Sequence, residues 1–426
     1  MSRDSENAAG PGDGPEDSAP TSAAANTAVP RRSAPGALLG AMFLMATSAI
    51  GPGFITQTST FTVQLGAAFA AAILLSIVID IAVQLNVWRT VGVAGRYVQD
   101  LASAVVPGAG VVLVVLVVGG GLVFNIGNVG GTGLGLEAMT GLEPSIGGAV
   151  SAVLAIAVFL FRRAQNLVDR TVVVLGGVMI AMSVWAVVAA VPPIGDALVQ
   201  SVAPKTFSFL AVTTIVGGTV GGYITYAGAH RVVDAGVSGP GEVRQIARTS
   251  VLSVLITGVL RVLLFLVVLG VISGGVRLSA ENTMADAFAA AIGGPGRVVF
   301  GLILWAAAIS SVIGAAYTSV TFLSSLHPWL RAHRSGLTVA FIAVSALTFV
   351  LLSATPRTLL VFAGAANGLI LPVGLGFVLW VAARRANDLL GGYRYPRWLL
   401  VIGIAVWILT VYLGVRSLGG IGALWS

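Results

Sequence analysis

The chain has 426 residues, of which 57% are hydrophobic and only 9% are charged. A soluble globular protein carries about 25% charged residues because its surface must be wetted, so a soluble enzyme is excluded. The absence of cysteine excludes a disulfide scaffold, a zinc–thiolate site and a cysteine nucleophile. The net charge of +7 does not indicate nucleic-acid binding, because the basic residues lie between apolar segments. These properties predict an integral membrane protein.

The first 36 residues differ in composition from the rest of the chain. Gly, Pro, Ala, Ser and acidic residues dominate them, and large apolar residues are almost absent. Such a segment cannot bury enough apolar surface to offset its ordering entropy, so residues 1–36 are expected to form a disordered tail. Arg31 and Arg32 precede an apolar run that resembles a secretory signal, but the run continues past Ala49 and many spans follow. We therefore interpret it as the first membrane helix.

The remainder, residues 37–418, is predicted to form one all-α transmembrane domain. A membrane helix needs about 20 mostly apolar residues, because the hydrocarbon core is about 30 Å thick. Eleven stretches meet this criterion: 37–62, 64–90, 108–133, 145–163, 169–191, 208–231, 249–273, 297–325, 335–354, 357–383 and 396–417.

The distribution of basic residues between these spans predicts the topology. With the tail on the inside, 17 of the 23 lysines and arginines lie on the inner side, five lie on the outer side, and Arg261 lies within a span. Inner loops of membrane proteins carry the excess of basic residues. We therefore expect a multi-pass protein of the cytoplasmic (inner) membrane, with its N-terminus in the cytoplasm and its C-terminus outside.

Two spans contain helix-breaking residues at matching positions. Gly51, Pro52 and Gly53 interrupt span 1, and a glycine run at 217–222 interrupts span 6, five spans later. Paired breaks of this kind are typical of transporters built from inverted repeats. We therefore predict two inverted five-helix repeats, residues 37–191 and 208–383, followed by an extra helix at 396–417. The alternative is that these glycines only allow close helix packing.

Short stretches of the sequence resemble the natural-resistance-associated macrophage protein (NRAMP) family of divalent-metal transporters. They are LGAMFL at 39–44 leading to IGPGF at 50–54, Gln84 in span 2, IVGGTV at 215–220, and Leu371-Pro372 in span 10. The resemblance covers residues 37–417. It implies a leucine-transporter-like fold with broken helices 1 and 6, and transport of a divalent metal cation of the manganese, iron or magnesium type.

The residues that bind metal and carry protons in that family do not match. The first-helix pattern Asp-Pro-Gly-Asn aligns with Gly51, Pro52, Gly53 and Phe54, and the sixth-helix pattern Met-Pro-His aligns with Gly221, Gly222 and Tyr223. Two acids that the family carries on its third helix align with Asn125 and Asn128. No metal ligand is assigned, and family-type proton coupling is expected to be absent or rerouted.

The aligned positions favour a roomy pocket with aromatic walls and neutral polar groups. Such a pocket suits a small organic solute, carboxylate-bearing or amino-acid-like, which we hold as the alternative substrate to a metal ion. A largely hydrated ion held by carbonyls and amides remains the opposing interpretation. The predicted substrate-binding residues are Gly51, Gly53, Phe54, Gln57, Gly218, Gly221, Gly222 and Tyr223.

Two charged residues, Asp80 in span 2 and Arg261 in span 7, lie within apolar stretches. A charge at this depth costs about 2.5–3.5 kcal/mol on insertion scales, so it marks a functional site with a partner. The inverted repeat relates the two spans, which makes an Asp80–Arg261 pair plausible; a static structural pair is the alternative. With His230, Asn125 and Asn128 they form the predicted pathway or coupling set. Weaker candidates for lining the pathway are Ser310, Ser311, Tyr317, Thr318 and Asn367.

Taken together, the sequence predicts a secondary transporter that moves a small solute through the lipid bilayer. A channel and a membrane-embedded enzyme are the rival classes. No phosphate-binding loop, serine triad or paired catalytic carboxylates is recognised, so no enzyme activity and no cofactor are expected. The sequence does not indicate an oligomeric state. Trp88 and Trp398 are expected to anchor their helices at the membrane interface.

Overall fold

The computed structural model describes residues 50–352 and 354–424, with side chains throughout except at 162–170, 172 and 173. The predicted tail and the first part of span 1 lie outside the described residues. The regular elements in the described part are all helices. The long helices are α1 Pro52–Leu65, α2 Phe69–Ala94, α4 Ala109–Thr140, α5 Pro144–Leu160, α6 Arg162–Ala190, α8 Phe209–Thr219, α9 Gly222–Asp234, α10 Val243–Ser273, α12 Gly294–Ser324, α14 Arg334–Leu351, α15 Pro356–Arg384 and α17 Arg397–Gly422.

Short helices connect the long ones. They are α3 Val98–Val105, α7 Ile194–Val202, α11 Thr283–Ile292, α13 Pro328–Ala332 and α16 Ala386–Leu389, with 3₁₀ turns at Gly66–Ala68 and Pro240–Glu242. The hydropathy pattern did not predict them because they are too short or too polar to count as spans.

Eight apolar segments of the described residues are long enough to cross a membrane, or nine if α7 and the apolar part of α6, bent by 107°, are counted as one span. The predicted total of eleven remains a prediction. The predicted ends of the spans are less accurate than their positions along the chain. The α4 helix extends seven residues beyond the predicted end at residue 133, and α10 begins six residues before the predicted start at residue 249.

The chain reverses direction between α1 and α2, at a turn where Gly66 has a φ of 57°. The rings of Phe61 and Phe69 lie 5.9 Å apart, although a continuous helix would separate them by about 12 Å along its axis. Glycine is the residue that adopts a positive φ without steric penalty. The apolar stretch Pro52–Ala94 is therefore a helical hairpin.

Two helices are interrupted or begin at the predicted breaks. The α8 helix ends at Thr219, Gly221 is extended (φ −52°, ψ 166°), and α9 begins at Gly222. The α1 helix begins at Pro52 after an extended Gly51 (φ −78°, ψ 178°). The break within span 6 is confirmed, and the described part of span 1 begins where its break was predicted.

The glycine-rich helix α4 forms the centre of the bundle. A methyl group on Gly133 would overlap the carbonyl oxygen of Pro144, and one on Gly135 would lie 2.6 Å from the backbone nitrogen of Trp305 on α12. Glycine at these positions lets helix backbones approach closely, and this packing replaces the hydrophobic driving force that lipid does not supply.

Polar and apolar side chains are distributed as expected for a bilayer. The outward faces of α5, α14 and α17 carry exposed apolar residues such as Val153, Leu347 and Val401. Many buried hydroxyls donate to a carbonyl three or four residues earlier in their own helix, as Ser59 does to Thr56 at 3.0 Å and Thr58 to Phe54 at 2.7 Å. One interface prediction is wrong: Trp88 is 1% exposed and packs in the core, whereas Trp398 is 59% exposed.

We predict that Gly135→Ala destabilises the protein by about 1–3 kcal/mol, because the added methyl group must displace the α12 backbone. The matched control is Gly119→Ala on the same helix, where an added Cβ meets no atom within 4 Å. The measurement is the thermal unfolding midpoint of the purified proteins in detergent. Equal midpoints for the two variants would contradict the close packing of α4 on α12.

Candidate substrate-binding site

The first turns of α1 and α9 both lie close to the ring of Phe124 in α4. A Cβ on Gly53 would lie 3.3 Å from the Phe124 ring. The same ring lies 5.5 Å from the ring of Tyr223, in the first turn of α9. Both helix starts therefore lie beside one aromatic side chain, which could not be predicted because Phe124 lies in a long apolar run.

Gln57 in α1 places an amide beside this junction. Its Nε2 donates to the carbonyl oxygen of Leu360 in α15 at 2.9 Å. Its Oε1 is buried and has no hydrogen-bond partner among the described residues. Gly218 in α8 and Gly364 in α15 lie directly against the amide, where a side chain would collide with it. Two glycines thus make room for a polar group whose acceptor is left available.

A second amide, Asn367 in α15, approaches the site from the other side. Its Nδ2 donates to the carbonyl oxygens of Gly120 and Ala363, both at 3.0 Å. Its Oδ1 is buried without a described partner, as is the hydroxyl of Ser319 in α12. Ser319 lies against Gly121, one residue from Gly120. The sequence analysis named Asn367 as a weak candidate and missed Ser319, which resembles any other helical serine.

The two asparagines of α4 have different environments. Asn125 points towards α14, where its Nδ2 donates to the hydroxyl of Ser345 at 3.0 Å. Asn128 is buried, and neither its Nδ2 nor its Oδ1 has a described partner. The contacts Gly121–Ser319 and Gly135–Trp305 fix the register of α4 on α12, and Ser311 lies on the same α12 helix. Ser311 is likewise buried without a described partner for its hydroxyl.

The side chain of Asp80, in α2, lies beside the C-terminal end of α8. The Thr219 hydroxyl donates to Asp80 Oδ2 at 2.7 Å, while Oδ1 has no described partner. Arg261 lies near enough to interact electrostatically with Asp80. Its guanidinium carbon is 4.3 Å from the centre of the Phe54 ring. The ion pairs of the described residues within 4 Å do not include Asp80 with Arg261. The two charges are therefore neighbours without a direct contact.

His230 lies away from the break, near the turn between α2 and α3. Its Nε2 accepts a hydrogen bond from the Val98 backbone at 3.1 Å, and its ring lies 4.4 Å from both Tyr97 and Phe322. The Tyr97 hydroxyl donates to Asp234 at the end of α9. We call this region the Tyr97 end of the bundle. Here α9, α3 and α12 are held together.

The opposite end of the bundle, which we call the Arg297 end, is held by charged groups. Arg297 pairs with Glu137 at 2.5 Å and with Asp286 in α11. Asn282 donates to the carbonyl of Leu134 at 2.9 Å and to Glu137 at 2.5 Å. These contacts attach α11 to the end of α4. A small cleft opens beside them.

Of the predicted substrate-binding residues, Gly53, Gln57, Gly218, Gly221 and Tyr223 lie together around Phe124, Gly364 and Asn367. Gly222 packs on Ile370, and Phe54 faces Arg261. Tyr317 is 41% exposed and stacks on Arg334 instead of facing the site. A grouping of three or more His, Cys, Asp or Glu side chains able to hold a metal is not found among the described residues.

All-helical and with two helix starts meeting at a polar centre, the described part of the chain has the leucine-transporter-like fold. Residues 42–419 match the model of the natural resistance-associated macrophage protein-like (Nramp) family. The chain therefore belongs to the Nramp family, as its sequence resemblance indicated.

Similar proteins agree with this assignment. The chain is 48% identical over 381 residues to an uncharacterized membrane protein, YcsG, of Bacillus subtilis (strain 168), which covers 89% of this chain and 94% of that protein. The fold is similar to that of a mutant manganese transporter from Eremococcus coleocola, with a TM-score of 0.68, 15% identity, and coverage of 90% of this chain and 86% of the other. MhsT in complex with L-phenylalanine gives a TM-score of 0.60, 16% identity, and coverage of 90% and 98%.

The hydrogen bond from Tyr97 to Asp234 gives a pH-dependent prediction. Burial, and then the hydrogen bond to Asp234, raise the pKa of Tyr97 to about 12 from 10.0. A raised pKa stabilises the fold fully below the unfolded-state pKa, and this stability is lost as the pH rises from about 10 to about 12. We therefore expect the free energy of unfolding of wild type to exceed that of Tyr97→Phe by about 1 kcal/mol. This difference should be constant from about pH 6 to 9 and should shrink above about pH 10.

Thermal unfolding midpoints across this pH range measure the effect. Tyr412→Phe is the control, because Tyr412 makes a ring contact with Phe209 that phenylalanine retains. A difference between wild type and Tyr97→Phe that grows above pH 10 would contradict the assignment of Tyr97 as the donor.

Proposed function

We propose that this Nramp-family protein is a secondary transporter of a small organic solute that binds between the two helix breaks. The observation that carries the proposal is the chemistry of the site: buried amide and hydroxyl groups without described partners, on Gln57, Asn367 and Ser319, beside the Phe124 and Tyr223 rings. Aromatic walls with a few convergent polar groups suit an organic molecule. Proteins of this fold are compatible with such ligands, since MhsT holds L-phenylalanine.

A bare divalent cation fits these residues less well. A dication that sheds its water needs anionic oxygens, or imidazole and thioether groups for a softer metal. The predicted break positions supply Gly51, Gly221 and Gly222 in their place, and Asp80 already accepts from Thr219. A manganese ion among the neutral groups around Phe124 would carry an uncompensated positive charge, because the charge of Asp80 is already balanced by that of Arg261.

Divalent-metal transport is the second candidate, and one observation favours it besides family membership. The carboxamide oxygens of Gln57, Asn128 and Asn367 are all buried and free of described partners. Three neutral oxygens together with retained water molecules are a ligand set that magnesium accepts, because it dehydrates reluctantly. Under this alternative the substrate is a mostly hydrated ion.

The orientation belongs to the same proposal. The 17-to-5 distribution of basic residues supports a cytoplasmic N-terminus in the inner membrane. The Tyr97 end then faces the cytoplasm and the Arg297 end faces outwards.

Thermal unfolding of the purified protein with two ligand panels distinguishes the candidates. We expect amino acids, amides and organic acids at millimolar concentration to raise the midpoint, since a ligand that binds only the folded state stabilises it. Micromolar manganese, cadmium or magnesium should leave it unchanged. Gln57→Leu should abolish the increase in midpoint that the organic ligands cause. Gln99→Leu, at the Tyr97 end, should retain that increase. A metal-specific increase in wild type would establish the second candidate instead.

A separate variant tests the missing carboxylate. Gly51 has a backbone conformation that any residue adopts, so Gly51→Asp should fold. The added charge should strengthen cation binding by on the order of a few kcal/mol in this low-dielectric site and weaken binding of a negatively charged solute. Calorimetry should then detect manganese binding that wild type lacks.

The matched control is Gly241→Asp, on an exposed 3₁₀ turn where an added Cβ meets no atom within 4 Å. It adds the same charge far from the site and should gain no manganese affinity. Micromolar manganese binding by wild type, little changed in Gly51→Asp, would contradict the organic-solute proposal.

A further inference from the structure

Arg261 is a buried cation whose hydrogen-bonding capacity is not used. The residue is 2% exposed in the middle of α10. Its Nε and Nη2 have no hydrogen-bond partner among the described residues. Arginine at membrane depth is expensive and is normally paired with an anion or with backbone carbonyls. This guanidinium therefore has free donors in a place where free donors are unfavourable.

Asp80 balances the charge of Arg261 without occupying its donors. The carboxylate accepts from Thr219 at 2.7 Å, and the described ion pairs within 4 Å do not join it to Arg261. Arg261 instead lies over the Phe54 ring, with its guanidinium carbon 4.3 Å from the ring centre. A cation–π contact orients a guanidinium without consuming its in-plane N–H groups. The donor edge of Arg261 is thus left for another acceptor.

The side chain of Arg261 meets the beginning of α1 at this point. Phe54 lies in the first turn of α1, which follows the extended Gly51. The N–H groups of a first helical turn have no partner within the helix, and the helix dipole adds about half a positive charge there. An arginine with unused donors and the first turn of α1 therefore meet at Phe54. Both features favour an anion.

The charges nearby limit which anion fits. Arg261 contributes one positive charge, and Asp80 contributes one negative charge within electrostatic range. A dianion such as phosphate would leave excess negative charge in the membrane interior, whereas a monoanion is balanced by the helix N-terminus. A planar carboxylate also matches the two-pronged donor geometry of a guanidinium.

We propose that Arg261 and the first turn of α1 form a carboxylate subsite, so that the transported solute is a small organic monocarboxylate. This inference rests on the proposed function and narrows its substrate class. Gln57 lies three residues after Phe54 on α1, so the remainder of the solute is placed beside the amides of Gln57 and Asn367. Arg261 is then a specificity-determining residue, and Asp80 positions it.

The small cleft at the Arg297 end borders the same helix, α1, that carries Phe54. Ile55, Thr56 and Ser59 of α1 line it, directly after Phe54 along the helix. Arg357 lines it as well, and its Nε donates to the Thr60 hydroxyl at 3.2 Å. Glu281 lines the same cleft, so its negative charge offsets that of Arg357 and the cleft itself favours neither sign of solute.

The test compares carboxylates with their uncharged amides. Purified full-length protein is unfolded thermally with sodium acetate, propionate or benzoate, each matched by acetamide, propionamide or benzamide at the same concentration. Sodium chloride and sodium phosphate at equal ionic strength serve as further arms. We expect at least one carboxylate to raise the midpoint of wild type above its amide, chloride and phosphate.

Variants assign the effect to Arg261. Arg261→Gln should weaken carboxylate binding by about 10- to 100-fold, as expected for losing charge-assisted hydrogen bonds. Because this change leaves Asp80 unbalanced, Asp80→Asn with Arg261→Gln is measured beside it and should show the same loss. Arg416→Gln is the matched control, since Arg416 also lies over a ring, 5.1 Å from Phe209, but is exposed. It should keep wild-type binding.

The outcomes separate this inference from the proposed function. Equal stabilisation by carboxylates and amides, lost in Gln57→Leu, would retain the organic-solute function and overturn the carboxylate subsite. Carboxylate stabilisation that survives in the Asp80→Asn, Arg261→Gln protein would also overturn it. If chloride or phosphate stabilised the protein as much as the carboxylates do, the carboxylate subsite would be overturned. The same would follow if no carboxylate stabilised the protein. Stabilisation by micromolar manganese alone would overturn both.

Discussion

Every other feature of the site depends on the break in helical hydrogen bonding at Gly221 and on the start of α1 at Pro52 after an extended Gly51. Within a membrane, backbone N–H and C=O groups freed by such a break must be satisfied by protein or must line a cavity. Around Gly221 the neighbours are glycines: Gly217 in α8 lies against Gly364 and Gly368 in α15, with no side chain between the backbones. The break is thus enclosed by backbone atoms. The polar side chains beside it are the neutral amides of Gln57 and Asn367.

Close packing explains why those amides keep unused acceptors. Asn367 is fixed by two donations from its Nδ2, and Gln57 by one from its Nε2. In each residue the donor is used to hold the side chain and the oxygen is left over. A buried acceptor without a partner is unfavourable, and such a cost is retained where the group has another task. The rigid placement of both oxygens by their own donors is what a preorganised binding site requires.

The architecture could be predicted from sequence because it rests on long-range averages of composition. Hydropathy located the spans, and the Gly and Pro runs at 51–53 and 217–222 located the breaks. Helix ends were less accurate, since α4 continues to Thr140 through residues as apolar as those within the membrane. Trp88 was misplaced because a tryptophan near a helix end looks the same whether it faces lipid or a neighbouring helix.

The site was only partly predictable for a related reason. Residues adjacent to a break, such as Gln57 and Tyr223, could be found by their position in the chain. Phe124, Ser319 and Thr219 could not, because each lies in an ordinary apolar helix and becomes important only through the packing of another helix against it. Helix register, which decides what faces Asn128 or Arg261, is set by small contacts such as Gly121–Ser319 that no single-span pattern contains.

The same packing decides where an ion gradient can act on this protein. Between Ala109 and Leu136 the α4 helix contains no titratable side chain, and the amide of Asn125 is bound to Ser345. No side chain in this stretch of α4 can therefore carry a proton by titration, in keeping with the prediction that family-type proton coupling is absent or rerouted. Asp80 is different, because its partner Thr219 is the last residue of α8 and follows Gly218, which packs on Gln57. A change of charge at Asp80 acts on the end of a broken helix one residue away from the amide at the candidate site, so the contact between α2 and α8 joins a titratable group to solute binding.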